Sequence, residues 1–328
     1  MISYWSGILA VSMLIYVLLD GFDLGVGMLF GTTRDAQRQR DMLSSVAPLW
    51  DGNETWLIVA GVVLWGAFPL AYSLLVPAFY IPVIVMLAGL IFRGVAFEFR
   101  GRAERSRGIW DVGFVLGSLV ASFMQGAMVG ALVEGLPIVN GRFTGNDMTW
   151  CSTFSLLSGL ALCVGYALLG AGWVVKKCEG DARDAAFRVI PPLLVAVLAL
   201  LIALFVHALH TNLAVMHRWI ERPSLFAVPL IALGSILCVW KGVRQRRDAL
   251  PFAAIVLLFI CAFAMLAISF WPYMIPFSLT IADAAAPHAS LAFMFWGAGI
   301  VVYPLMLIYT VCSYAVFNGK VNVMSNHY

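Results

Sequence analysis

The chain has 328 residues, 62% of them hydrophobic and only 11% charged, with a formal net charge of +3. A soluble globular chain carries about a quarter charged residues, so the composition excludes a soluble enzyme and a disordered chain and makes the bilayer the solvent. The small, dispersed positive charge leaves no polyanion footprint and excludes a nucleic-acid partner, and six cysteines without C-x-x-C or Cys/His spacing indicate neither a disulfide framework nor a zinc site.

A membrane helix needs about 20 mostly apolar residues. On that rule the sequence predicts nine spans, roughly at 4–30, 54–75, 77–99, 110–134, 151–175, 188–210, 224–241, 250–271 and 290–316. The expected fold is all-α, a polytopic helical bundle forming one transmembrane domain over 1–328. The runs are long and continuously apolar, which separates them from the short alternating strands of a membrane β-barrel. The first run lacks a basic leader and continues into DGFDLGVG rather than a cleavage site, so it reads as a retained span. After it, residues 32–48 are polar with Met42, Leu43 and Val46 interspersed, the pattern of a short amphipathic helix at the membrane interface. Near the other end of the chain, WPYMIPFSLT reads as the close of the eighth span followed by an ordered outer loop containing Asp283.

Basic residues alternate between loops. The odd-numbered loops carry Arg34, Arg38 and Arg40; Arg100, Arg102, Arg105 and Arg107; Lys176, Lys177, Arg183 and Arg188; Lys241, Arg244, Arg246 and Arg247; the tail adds Lys320. The even-numbered loops hold Arg142, Arg218 and Arg222, and Arg93 alone lies within a span. Basic loops stay in the cytoplasm, so the N-terminus is expected outside and the C-terminus inside.

Each ionisable group in a membrane helix costs about 3 kcal/mol on insertion scales and needs a reason. Asp20 and Asp23 lie three apart in LDGFDLGVGM and share a helix face. Asp51 and Glu54 open the second span in WDGNETW, Arg93 and Glu98 close the third in FRGVAFEFR, and Asp111 opens the fourth. All fall in the half of the membrane nearer the basic loops. One reading makes them structural: side chains at helix ends snorkel to water, and Asp51 caps the second span. The other makes the deeper ones, Asp20, Asp23 and Arg93, functional. Gly21, Gly25, Gly27 and Gly31 include GxxxG spacings and read as a close helix contact. Haem between membrane helices needs axial His or Met from facing helices. His207, His210, His217, His288 and His327 all fall outside mid-span positions, so no metal and no haem ligated by this chain's own residues is expected.

The motifs LDGFDLGVGM, PLWDGNETWLI, FRGVAFEFR and WPYMIPFSLTIADAAAP, in that order, resemble subunit II of the cytochrome bd-type quinol oxidases, in particular the shorter, cyanide-insensitive branch. The resemblance implies a complex in the bacterial cell (inner) membrane that oxidises quinol, reduces dioxygen to water and takes protons from the cytoplasm. It implies that haems b and d belong to a larger partner, subunit I. Subunit II would pack beside it among membrane lipid, complete the haem environment and contribute to proton and oxygen access. Some members hold a structural quinone in this subunit, and the resemblance admits a small accessory subunit. The family pattern falls on Asp23, Trp50 and Asp51, with Arg93 nearby; Glu54 departs from versions that are uncharged there. The expected proton-transfer residues are Asp20, Asp23 and Asp51, supported by Trp50, Arg93 and Glu98. The competing readings are a polytopic secondary transporter, which midplane polar groups and matched broken helices would favour, and a non-catalytic scaffold. Copurification with a haem-bearing partner separates the oxidase subunit from the transporter.

Overall fold

The structure is a computed structural model that describes residues 1–103, 105–211, 213, 219 and 223–321. His217, Arg218, Arg222 and His327, which entered the reading of the loops and ligands, lie outside the described residues. The helices are α1 (Ile2–Phe30), α2 (Ala36–Val46), α3 (Trp50–Ala67), α4 (Pro69–Arg100), α5 (Arg107–Glu134), α6 (Thr153–Lys177), α7 (Gly180–His210), α8 (Ala227–Arg244), α9 (Ala249–Phe270), α10 (Ile281–Ala284), α11 (His288–Met294) and α12 (Val302–Val316). A π-helical turn, Phe295–Gly299, follows α11, and the two are followed by α12 as one apolar stretch. A 3-10 turn, Pro223–Phe226, precedes α8, and two hairpins complete the described elements: β1 (Ile138–Val139) with β2 (Arg142–Phe143), and β3 (Tyr273–Ile275) with β4 (Leu279–Thr280). The first turns through Asn140 and Gly141, both at positive φ, as a two-residue hairpin requires.

Among the described residues eight helical stretches are long and apolar enough to cross a membrane, so the chain is an all-α, multi-pass membrane bundle. The 18-residue α3 is not one of the eight, because it begins on the polar WDGNET. The expected break between the second and third spans, near residue 76, falls instead at Phe68, whose φ and ψ (−132°, 59°) leave the helical region. Pro69 then starts α4, where a proline's missing N–H removes no helix bond. Pro77 and Pro82 lie inside α4 and are accommodated by a kink with Phe79 at φ −120°, ψ 18°. The segment read as an amphipathic interface helix forms α2, with Asp35 accepting from the Arg38 backbone N–H at its start.

Without a hydrophobic drive between helices in lipid, close approach depends on small residues. At the α1–α6 crossing a Cβ on Gly25 would fall 1.8 Å from the Tyr166 carbonyl oxygen, and one on Gly170 would fall 2.5 Å from Gly25. This is the contact that the glycines of α1 suggested. At the α4–α5 crossing, Gly117 faces the Gly89 carbonyl in the same way, and a Cβ there would also meet the Arg93 backbone. Both crossings bring their helices against the second half of α1 or the Arg93 turn, where the polar residues collect.

The basic loops gather at one end of the bundle. Arg38 pairs with Asp181 at 2.9 Å, Arg183 with Asp248 at 2.6 Å, and Arg100 with Asp111 and Gln39. The tail docks there too: Lys177 Nζ donates to the Phe317 and Gly319 carbonyls, and Lys320 Nζ pairs with Asp248 at 2.6 Å. At the opposite end Trp5 donates to the Leu291 carbonyl, Tyr4 to that of Gly299, and the Ala286 N–H to that of Ala67. The WPYMIPFSLT segment is ordered there as the β3–β4 hairpin, and Thr280 accepts from the Asp283 N–H behind it.

Candidate functional site

Helix α1 runs unbroken through LDGFDLGVG and carries Asp20 and Asp23 into the interior, where they are 0% and 2% exposed. At 1.5 Å per residue they stand about 10–15 Å inside the Phe30 end of the helix. Arg93 of α4 stands about 10 Å inside the Arg100 end and is 2% exposed. The adjacent ends of these helices therefore place the acids and the base at one depth.

The guanidinium forks. Nη1 donates to Asp20 Oδ1 at 2.7 Å, and Nη2 donates to Glu54 Oε2 at 2.9 Å. Glu54, on the first turns of α3, is the half-exposed member, with 26% of its side chain open. Its neighbour Asn53 donates from Nδ2 to Asp23 Oδ2 at 2.7 Å and is positioned in turn by the Tyr314 hydroxyl of α12, which donates to Asn53 Oδ1 at 2.9 Å. A further link lies deeper. Gln125 of α5 donates to the Tyr16 hydroxyl at 2.7 Å and accepts from the Tyr166 hydroxyl of α6 at 2.9 Å, with Tyr16 one helical turn from Asp20 on α1. Three carboxylates thus surround a single guanidinium.

Two small cavities flank the cluster. One, of about 10 Å3, is lined by Asp23, Val46, Trp50, Arg93, Phe97 and Phe114. The other, also about 10 Å3, lies between α3 and α12 on the far side of Asn53 and Tyr314, reaching Pro48 and Ser313. Each has room for about one water molecule.

Of the residues singled out in the sequence, Asp20, Asp23 and Arg93 come together, and Trp50 closes one cavity with its ring 5.5 Å from that of Phe97. Asp51 stands apart. It is exposed in the first turn of α3 and makes no ion pair or side-chain hydrogen bond among the described residues. Leu49 occupies the N-cap position, so Asp51 makes no capping bond; its charge still suits a helix N-terminus. Asp51 was expected beside Asp20 or Asp23, but the 100° turn per helix residue brings Asn53 and Glu54 inward instead. Glu98 is exposed as well. Glu54, which departs from the uncharged family pattern, is the second partner of Arg93, and its three-residue spacing from Asp51 is the signal that marks the polar turn. Gln125 carries the signal that an intramembrane polar residue always carries; Tyr16, Tyr166 and Tyr314 carry none that sequence alone distinguishes.

The described histidines sit at helix ends: His207 and His210 close α7, and His288 opens α11. Among the described residues no group of three or more His, Cys, Asp or Glu is placed to hold a metal ion.

Comparison with known proteins accords with the motifs. The family described as cytochrome bd terminal oxidase subunit II matches residues 1–317. The chain is 30% identical over 360 residues to the cytochrome bd-I ubiquinol oxidase subunit 2 of Escherichia coli (strain K12), covering 97% of this chain and 94% of that protein. It is 28% identical over 341 residues to the cytochrome bd ubiquinol oxidase subunit 2 of Bacillus subtilis (strain 168), covering 97% and 96%. In fold it is similar to a chain of the bd oxidase from Geobacillus thermodenitrificans, with a TM-score of 0.78 over 96% of each chain at 16% identity.

Proposed function

Because this chain belongs to the cytochrome bd terminal oxidase subunit II family, we propose that it serves its complex as the proton-handling partner of a haem-bearing subunit. The chain is a multi-pass membrane subunit of a bd-type quinol oxidase, and the complex is an oxidoreductase that contains haem and uses quinol and dioxygen. Family membership sets aside the transporter reading. The finer assignments are ours: haems b and d reside in subunit I, the complex lies in the bacterial inner membrane, and the basic-loop end of the bundle faces the cytoplasm. An accessory subunit is compatible with the broad apolar surface of α12.

The observation that carries the proposal is the Asp20–Arg93–Glu54 fork with Asp23 beside it. Breaking one partner of a buried ion pair costs about 3–5 kcal/mol, so Arg93 fixes Asp20 and Glu54 in place. Asp23 is held through one oxygen only, by Asn53, and its other oxygen is free to take up and release a proton. Reduction of dioxygen to water consumes protons. Asp51 would collect them at the surface, Glu54 and Asp20 would stabilise positive charge at the Arg93 turn, and Asp23 would pass the proton inward. Trp50 shields the cavity, and Glu98 adds negative charge at the mouth.

Quinol supplies the electrons for dioxygen reduction, and the haems, when bound, would carry them. Among the described residues the histidines lie at helix ends, His207 and His210 on α7 and His288 on α11, which supports placing the haems in the partner. Purification of the native complex tests the assignment: an oxidase subunit copurifies with a haem-bearing partner, and this chain expressed alone shows no haem absorbance. A stoichiometric haem spectrum from the isolated chain refutes the division of labour. A normal haem content with normal turnover in an Asp23→Asn complex leaves only the scaffold role.

A further inference from the structure

The hydrogen bonding of the cluster is incomplete at Asp20 Oδ2 and at one further spot, which borders a cavity. Asp23 Oδ1 and Arg93 Nε are buried and have no hydrogen-bond partner, and both residues line the cavity closed by Val46, Trp50, Phe97 and Phe114. Neither can turn to find a partner elsewhere. Arg93 is fixed through both terminal nitrogens, by Asp20 and Glu54. Asp23 is fixed through Oδ2 by Asn53, which Tyr314 holds.

We propose that this cavity is a binding site for one water molecule that accepts from Arg93 Nε and donates to Asp23 Oδ1. The chemistry selects the occupant. A donor faces an acceptor, so the guest must accept on one side and donate on the other. A halide cannot donate and a metal cation cannot accept. The cavity of about 10 Å3 matches one water and little else. The same water joins two groups of residues that otherwise share no hydrogen bond: Glu54, Arg93 and Asp20 on one side, and Asp23, Asn53 and Tyr314 on the other. Its place as the link in a proton path rests on the proposed relay; its existence does not.

The test is made on the assembled complex. An electron cryo-microscopy map that resolves ordered waters at other buried sites should show a peak within about 3.2 Å of both atoms. A map of that quality with no such peak, or with Asp23 and Arg93 in direct contact, overturns the site. Val46→Ile adds a methyl group beside the cavity without touching a polar atom, and is expected to abolish the peak and the H2 18O-sensitive O–H stretch of a buried water in difference infrared spectra. A stretch retained in Val46→Ile with the cavity filled also overturns it. Turnover at unchanged haem content then judges the relay separately. A several-fold fall in Val46→Ile supports water-linked transfer, while loss of the water with normal turnover keeps the site and removes its role in the path.

Discussion

Arg93 donates to Asp20 across 2.7 Å with both side chains shut away from solvent, at 2% and 1% exposure. A pair so placed makes unequal demands on its two partners. Removing one leaves the other charge buried and unmatched, whereas removing both removes the desolvation penalty as well. Asp20→Ala is therefore expected to destabilise the subunit by about 3–5 kcal/mol and to lower the yield of assembled complex. Adding Arg93→Leu to it should recover part of that loss, reduced by the contact Arg93 also makes with Glu54. Thermal unfolding of the purified complexes measures this, and a double variant less stable than Asp20→Ala alone would contradict it.

Asp23 and Asp51 are predicted to separate stability from turnover. Asp51 is exposed and makes no bond that asparagine would break, so Asp51→Asn should leave stability within about 0.5 kcal/mol while slowing turnover if it collects protons. Asp23→Asn can keep its contact with Asn53, its amide oxygen accepting from Asn53 Nδ2 as the carboxylate does, but it cannot carry a proton. It is expected to slow turnover more than Asp51→Asn does, with haem content intact. Stopped-flow oxygen consumption across pH 6 to 8 checks the order, and normal turnover in both complexes makes the acids structural.

The helices were legible in the sequence because continuous apolar length is a one-dimensional signal, and the depth of Asp20, Asp23 and Arg93 followed from residue counts along those helices. Which neighbours turn inward was not legible. Asp51 and Glu54 share a motif and a charge, and only the start of α3 at Trp50 decides that Asn53 and Glu54 meet α1 and α4 while Asp51 meets solvent. The break at Phe68 was not legible from apolar length: the run is continuous across it, and the helix that follows absorbs Pro77 and Pro82 in a kink. Tyr314 was invisible for another reason: it comes from the last helix, 261 residues from Asn53, and a tyrosine in an apolar run looks like packing until its hydroxyl partner is known.

Orientation gives a third prediction. Contacts such as Arg38 with Asp181 and Lys320 with Asp248 collect the basic loops at one end, and basic loops remain cytoplasmic. Reporter domains fused after residue 142, in the β1–β2 hairpin, and after residue 245, past α8, should report opposite sides, with residue 245 inside. The same side for both would overturn the orientation.

The tail offers a prediction about pH. Burial alone would raise the carboxyl pKa of Asp248, but hydrogen bonds from Lys320 and Arg183, with the charges they carry, bring it below the ordinary carboxylate value. A group with a depressed folded pKa adds stability above its unfolded pKa, about 3.9 for an aspartate, and loses it as pH falls through the folded value. The contribution is modest because the pair is partly exposed and screened by salt. Above about pH 5 the tail after α12 should therefore stay docked, and below the ordinary carboxylate range it should release as Asp248 takes up a proton. Asp248→Asn removes the charge at every pH and should loosen the tail already at pH 7, where Lys320 keeps only its bonds to the Val175 and Cys178 carbonyls. Hydrogen exchange at Val321, whose N–H donates to the Lys177 carbonyl, reads the docking directly. Equal protection in the wild type and in Asp248→Asn at pH 7 would show that the backbone bonds alone hold the tail.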